Sequence, residues 1–485
     1  MTHDFAPVIG RAWDAAGGPA GLADAVTATG PRQVLPSVFD VTGLAVGSVA
    51  AATLAAAEFG TARGLGAERA VTVDSRAASA AFAAEALFTP VGWQRPEVWD
   101  PIAGNYQARD GWIRLHTNYA YHRAAVETVL ASRDHGSAST RDSAVTRDSA
   151  VTRDTVAGAV ATWQAADLEA AVVAAGGCAA ALHPRPGWLA SAAGAASAAA
   201  PPLRVAPPAT GSFPAGSFDR EPGGSRALPY AGIRVLDLTR VIAGPVATKF
   251  LAAYGADVLR IDPPGFAEVP AVLPETTAGK RTAFLDLRAA GDRVIFEGLV
   301  ATADVLVAGL RADALGRLGY DDAALAALNP ALIIATHNAY GWDGPWRDRR
   351  GFDSLVQMSC GIAAAGGQGA GKDRPVPLPV QALDHATGYF LAAAVGRALT
   401  RRHTEPAVSR VHGSLIGTAN FLWSLPRPHD QPPRPAPGDF ALADTATAWG
   451  PARRVPLPGS IAGMTPAWRV QAGPLGRHAP AWPAA

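Results

Sequence analysis

From Gly232 onward, short continuous apolar runs alternate with stretches whose apolar residues recur every three or four positions. Ile233-Arg-Val-Leu-Asp-Leu238, Ala256-Asp-Val-Leu-Arg-Ile-Asp262, Thr282 to Leu287, Asp304 to Ala308 and Leu332 to Thr336 have the length and β-branched content of buried strands. Gly244 to Tyr254 supplies a helix between the first two, which completes a βαβ unit of about 30 residues. Continued alternation predicts an α/β fold with a Rossmann-like, doubly wound, mostly parallel sheet. Further on, Tyr389 to Leu399 is apolar apart from Arg397 and reads as a buried helix, with Asp384 just ahead of its first turn.

The first half is patterned differently and predicts a smaller α+β domain within residues 1–183. The first 34 residues read as an arm or a docking helix. An Ala/Val/Leu run at 44–58 predicts a helix, Ala70 to Val73 a short strand, and Ser75 onward another helix. The pair Asp110-Gly111, flanked by alternating apolar residues, predicts a hairpin within Gly104 to Leu115. Residues 140–155 repeat Thr-Arg-Asp-Ser-Ala-Val with a period of six, too short for a helix pair to fill and too charged to bury, as in an expanded surface loop. Helix returns over Val156 to Ala175. Residues 184–228, rich in Pro, Gly, Ala and Ser, read as a linker to a domain at 229–425, and the Pro-rich tail 426–485 as an outer wrapping.

Charge removes whole classes of partner. Lys plus Arg number 42 against 41 Asp plus Glu, so there is no bulk attraction to nucleic acid or an anionic membrane. Two cysteines, Cys178 and Cys360, are too few for a disulfide framework and lack the spacing of a metal site. No uninterrupted apolar run reaches the ~18 residues of a membrane span and the N-terminus lacks a signal pattern, so the expected setting is cytoplasmic.

The chemistry centres on Asp384. An acid at a helix start is either a cap, accepting first-turn N–H groups, or a reagent. The first βα turn, Thr239-Arg-Val-Ile-Ala-Gly-Pro245, holds only Gly244 of the three glycines of a dinucleotide fingerprint, which argues against a nicotinamide enzyme.

Residues 230–400 resemble the class III CoA-transferase family, which includes formyl-CoA transferase, carnitine CoA-transferase and alpha-methylacyl-CoA racemase. The resemblance is carried by Gly232-Ile-Arg-Val-Leu-Asp-Leu-Thr-Arg-Val-Ile-Ala-Gly-Pro245, Leu251 to Pro264, Gly279-Lys-Arg-Thr-Ala-Phe-Leu-Asp-Leu287, Ala303 to Val307, Leu318-Gly-Tyr320, Tyr340 to Pro345, Gly351-Phe-Asp353 and Gln381 to Gly388. It implies that Asp384 is the nucleophile of an acyl-CoA:carboxylate CoA-transferase working through aspartyl-CoA. It also implies that Lys280, Arg281, Arg311 and Tyr340 contact coenzyme A, a substrate here and not a tightly bound cofactor, with no metal involved. The partners implied are an acyl-CoA and a carboxylic acid, in a homodimer of interlocked chains.

The chain departs from the family in three ways. Ala308-Gly-Leu-Arg311 replaces Glu-Asn-Phe-Arg, so Gly309 stands where an Asn would touch coenzyme A, and Ile242 replaces a Gln of the first loop. Phe352 stands where the racemase branch has a His, which favours transfer over racemisation, since proton removal and return need two acid/base groups. Finally, Val38-Phe-Asp-Val-Thr-Gly43 echoes Ala382-Leu-Asp-His-Ala-Thr-Gly388. The chain therefore reads as two incomplete copies, with Asp40 a helix cap and Asp384 the reagent. The alternatives are a 2-methylacyl-CoA racemase of the same family and a noncatalytic partner subunit.

Overall fold

The computed structural model describes residues 5–66, 70–134, 151–207, 209–210, 228–428 and 432–483. Residues 140–150 of the hexapeptide repeat lie outside them, and its last residues run into helix Arg153–Val160, which Thr152 caps.

In the first half the elements are β1 (Val26–Thr29), α1 (Val41–Ala62), β2 (Val71–Asp74), α2 (Ser75–Ala81), the hairpin β3 (Gly104–Gln107) and β4 (Trp112–Leu115), α3 (Ala120–Asp134), β5 (Ala179–Ala181) and β6 (Leu203–Val205). Asp40 starts α1 by accepting the Gly43 N–H at 2.8 Å while Arg32 neutralises its charge. Although Thr42, Ser48 and Thr53 interrupt its apolar run, α1 is long and apolar enough to cross a membrane, but 94% of its apolar window is buried inside the protein. Most of it packs along helix Ala382–Thr404 of the second half. The β3–β4–β5 sheet is antiparallel and closes over its own small core of Ile113, Leu115, Val126 and Leu168.

The second half holds β7 (Arg234–Leu238), α4 (Ala243–Ala253), β8 (Asp257–Asp262), β9 (Lys280–Phe284), β10 (Val305–Ala308), β11 (Ile333–Asn338), α5 (Asp353–Ser359), α6 (Ala382–Thr404), β12 (Arg410–Ser414), α7 (Leu415–Trp423) and, in the tail, β13 (Gly459–Ile461). Seven strands form one sheet in the order β9-β8-β7-β10-β11-β12-β6. Six run parallel, and β6 pairs antiparallel with β12 at the edge. Continuous apolar runs such as Val305 to Val307, all 0% exposed, are what a sheet covered on both faces requires.

Helix α6 is the central support. Phe390, Leu391, Val395 and Leu399 are 0% exposed, each contributing on the order of 1.5–3 kcal/mol by burial. At Gly388 an added Cβ would lie 2.5 Å from the Ala243 carbonyl, so only glycine lets α4 approach α6 this closely.

Two stretches are more ordered than their composition predicts. Within the presumed linker, helices Arg185–Ala190 and Ala192–Ser197 lead into β6, because Trp188 is buried against Trp346, ring centroids 5.2 Å apart. In the tail, β13 pairs antiparallel with β2 and completes a sheet with β1. Gly366 to Gly369 form the end of helix Ile362–Gly369.

Candidate active site

The chain runs outward from β7 through β8 to β9, then returns to place β10 on the other side of β7. The connections after β7 and β10 therefore leave in opposite directions, and a crevice opens at the carboxyl ends of these strands. A cavity of about 320 Å³ lies there, walled by Arg240 to Ala243 after β7, Gly309 to Arg311 after β10, and His337 to Ala339 at the end of β11. Asp384 lines it from α6, and Tyr119, Tyr121 and His122 enter from the first half.

Asp384 is the third residue of α6, inside the first turn, and only 8% exposed. The helix is capped by another acid. Oδ2 of Asp353, itself 0% exposed, accepts the N–H groups of Leu383 at 2.8 Å and Asp384 at 3.0 Å, while Gln357 donates to Oδ1. The Ala382 and His385 N–H groups go to the carbonyls of Val380 and Gln381. Asp384 is therefore freed from capping, and its carboxyl has no hydrogen-bond partner among the described residues. Burial, then the neighbouring charges of Asp353 and Glu85, raise its pKa well above the ordinary carboxyl range. Burial also raises Asp353, to about 6, but its three donors hold it lower than Asp384.

Four arginines border the cavity: Arg240, Arg311, Arg349 and Arg350. Three are engaged, Arg349 with Glu169 at 2.5 Å, Arg240 with Asp262 at 3.6 Å and the face of Phe266, and Arg350 with the Gly176 carbonyl at 3.1 Å. Arg311 has no carboxylate partner among the described residues, and burial and then the charge of Arg350 lower its pKa. Beneath the wall, buried Glu268 accepts Tyr119 Oη at 2.7 Å, Arg260 at 2.9 Å and the Val241 N–H at 3.1 Å, tying the first half to the turn after β7. Val241 has φ 61°, strained for a β-branched residue. A second cavity of about 280 Å³ shares Arg240 and Leu310 with the first and adds Asp262, Arg288, Leu315 and Leu318.

The structure brings together only part of the predicted set. Arg311 and Asp384 share the cavity; Lys280, Arg281 and Tyr340 do not reach it. Lys280 is sealed in the core, donating to Asp237 at 2.9 Å and to the Pro245 carbonyl, and burial lowers its pKa to about 8. Having no exposed side-chain surface, it cannot meet a phosphate where it stands. Arg281 pairs with Asp257 at 2.9 Å and donates to the Ala481 carbonyl at 2.5 Å. Tyr340 is buried against Trp346 and 3.2 Å from Ser359 Oγ. The first-turn N–H groups of α6 are likewise taken, by Asp353 and by the Val380 and Gln381 carbonyls.

Residues 230–431 match the sequence pattern of CoA-transferase family III. The likeness to that family lies in this part of the chain. The chain is 31% identical over 226 residues to a succinate–glutarate CoA-transferase of Agrobacterium fabrum, covering 41% of this chain and 56% of that protein. It is 33% identical over 220 residues to an acetyl-coenzyme A transferase of Hypoxylon pulicicidum, covering 42% and 37%. An acetyl-CoA:oxalate CoA-transferase of Acetobacter aceti is 32% identical over 206 residues, covering 40% and 53%. A hypothetical protein of Mycobacterium tuberculosis of known structure is 31% identical with a TM-score of 0.36, covering 40% and 56%. The chain thus spans about half the length, or less, of these relatives.

Within the family III region, Asp353 and His337 were missed as site residues. Asp353 stood in the Gly351-Phe-Asp353 motif, and His337 ends a strand at the sheet edge where ligands bind, so each had a signal. Tyr119 and His122 had none, because the contact that delivers them joins residues distant in sequence. His122 Nε2 lies 3.4 Å from Cys178 Sγ, and burial followed by the Arg350 charge lowers its pKa to about 4.

Proposed function

We propose that the chain is an acyl-CoA:carboxylate CoA-transferase in which Asp384 carries the acyl and CoA groups in turn, on a Rossmann-like, doubly wound domain. The observation that carries this reading is the unpartnered Asp384 carboxyl at a helix start, facing a cavity at the strand-order reversal. Asp384 Oδ attacks the thioester carbonyl, the C–S bond breaks, and CoA thiolate leaves a mixed anhydride. The thiolate then attacks the aspartyl carbonyl, releasing the donor acid and forming aspartyl-CoA. The acceptor carboxylate attacks that carbonyl, displacing thiolate, which finally takes the acceptor acyl group and restores Asp384.

Division of labour between the two carboxyls favours this reading. Asp353 holds the helix, so Asp384 is free to change its bonding without unwinding the first turn. Arg311 and Arg350 suit the anionic groups of coenzyme A, and the second cavity, with apolar walls and Asp262, suits its nucleoside end. Exclusion of water by the bound substrate would preserve the thioester bond energy.

Incubation with an acyl-CoA followed by hydroxylamine should yield an adduct at Asp384, detected by peptide mass spectrometry and absent in Asp384→Asn. Absence of any adduct and of acyl exchange across a screen of thioesters refutes the reading. Relatives named for succinate, glutarate and oxalate make dicarboxylates the first acceptors to try. One observation favours a second reading, proton exchange as in a racemase: His122 lines the cavity beside Phe352, ring centroids 5.9 Å apart, near where that branch has its histidine. Deuterium entering the alpha carbon without acyl transfer, and lost in His122→Ala, would establish it instead.

A further inference from the structure

The glycine at 309 has a structural counterpart. A Cβ built on Gly309 would lie 2.4 Å from His337 Nε2 and 2.9 Å from Cε1, closer than non-bonded atoms can approach. The His337 imidazole therefore occupies the space that any side chain at 309 would need. His337 sits near the carboxyl end of β11, is 8% exposed, and lines the same cavity as Asp384. Its Nε2 is buried with no hydrogen-bond partner among the described residues. Nε2 itself lies covered over Gly309, so a ligand in the cavity meets the exposed edge of the ring, and a small ring rotation would bring the unpaired nitrogen to a partner.

We propose that His337 is a substrate-binding residue that replaces the missing Asn at 309, its ring hydrogen-bonding the amide or thioester carbonyl arm of a CoA thioester, with glycine at 309 making room for it. This rests on the CoA-transferase reading. A neutral imidazole, as burial keeps this one, offers one donor and one acceptor, like the primary amide it would replace. It suits an uncharged amide or carbonyl better than a phosphate, for which the arginines are present. His337 and Gly309 lie on neighbouring strand ends, so the role passes from one strand to the next with little displacement of the ligand.

The test compares wild type, His337→Ala, Gly309→Asn and the double variant Gly309→Asn/His337→Ala, using coenzyme A in calorimetry and acetyl-CoA in steady-state kinetics. His337→Ala should weaken CoA binding and raise KM about three- to tenfold, the worth of one neutral hydrogen bond, with kcat within about twofold. Gly309→Asn alone should also weaken binding, by colliding with the ring, and the double variant should bind better than either single one. Nitrogen-15 NMR of histidine-labelled wild type should show the His337 ring resonance move on CoA addition, which decides the matter even if a variant fails to fold. If wild type binds CoA but His337→Ala binds as well and the ring signal does not move, this inference is overturned and the transferase reading stands. If wild type does not bind millimolar CoA, both fall.

Discussion

Asp353 offers a sharp test of how the site is built. Its buried carboxylate accepts two backbone N–H groups, at 2.8 and 3.0 Å, and the Gln357 amide. Hydrogen bonds to a charged group are worth about 1.5–3 kcal/mol each, and a buried donor left unpaired costs about 1–3 kcal/mol. Desolvation of the carboxylate offsets part of that gain, so truncation should cost about 3–5 kcal/mol, as for other broken buried polar networks. Asp353→Asn retains one oxygen that can accept both N–H groups without the charge, so about half the loss is expected. Amide hydrogen exchange reads this locally: the Leu383 and Asp384 amides should exchange on the order of a hundredfold faster or more in Asp353→Ala, and about tenfold faster in Asp353→Asn. Acceleration below about threefold in Asp353→Ala would mean that another group starts α6, and that Asp384 is not free of capping.

Other consequences are checked by stability and pH. Because the folded pKa of Asp384 is raised, the folded chain keeps a proton between the ordinary carboxyl value and the raised one, where the unfolded chain has lost it. Stability must therefore fall as pH rises through that window, and Asp384→Asn should reduce the slope, leaving the part that belongs to Asp353, and melt higher at pH 7. Acyl transfer should rise with pH over the same window, since only the carboxylate attacks. Lys280→Met strands buried Asp237 and should cost about 3–5 kcal/mol, whereas Lys280→Met/Asp237→Asn should recover much of it in denaturant titration. Val241→Gly relieves about 1–3 kcal/mol of backbone strain against about 1 kcal/mol of added chain entropy, so the variant should be slightly more heat-stable. A clear drop in melting temperature would show that the strain is absent.

The strands of the second half were legible because continuous β-branched runs can be buried only in a covered sheet. Observed β7, β8, β10 and β11 fall within two residues of the expected bounds, whereas β9 runs Lys280–Phe284 in place of Thr282 to Leu287, with the Lys280 side chain drawn inward to Asp237. The hairpin within Gly104 to Leu115 was legible from its alternating apolar strands, but they close around the four residues Ala108 to Gly111, and neither Asp110 nor Gly111 takes the positive φ of a two-residue Asp-Gly turn. Helix Val156 to Ala175 was read as continuous, but breaks between Val160 and Ala165, where Asp110 accepts the Ala165 N–H at 2.8 Å from across the small domain.

By itself the sequence determined the alternation of strands and helices, the likeness of residues 230–400 to the class III CoA-transferases, and the candidacy of Asp384. It could not decide which cations were free. Lys280 and Arg281 differ from Arg311 only in which carboxylates the fold delivers to them, and a charge loses its capacity for ligand once an internal partner takes it. Nor could it show that Asp353 would cap α6, that His337 would fill the space over Gly309, or that Tyr119 and His122 would close the cavity. Each of those depends on contacts between distant segments, which only packing of the two halves around α1 and α6 brings within bonding range.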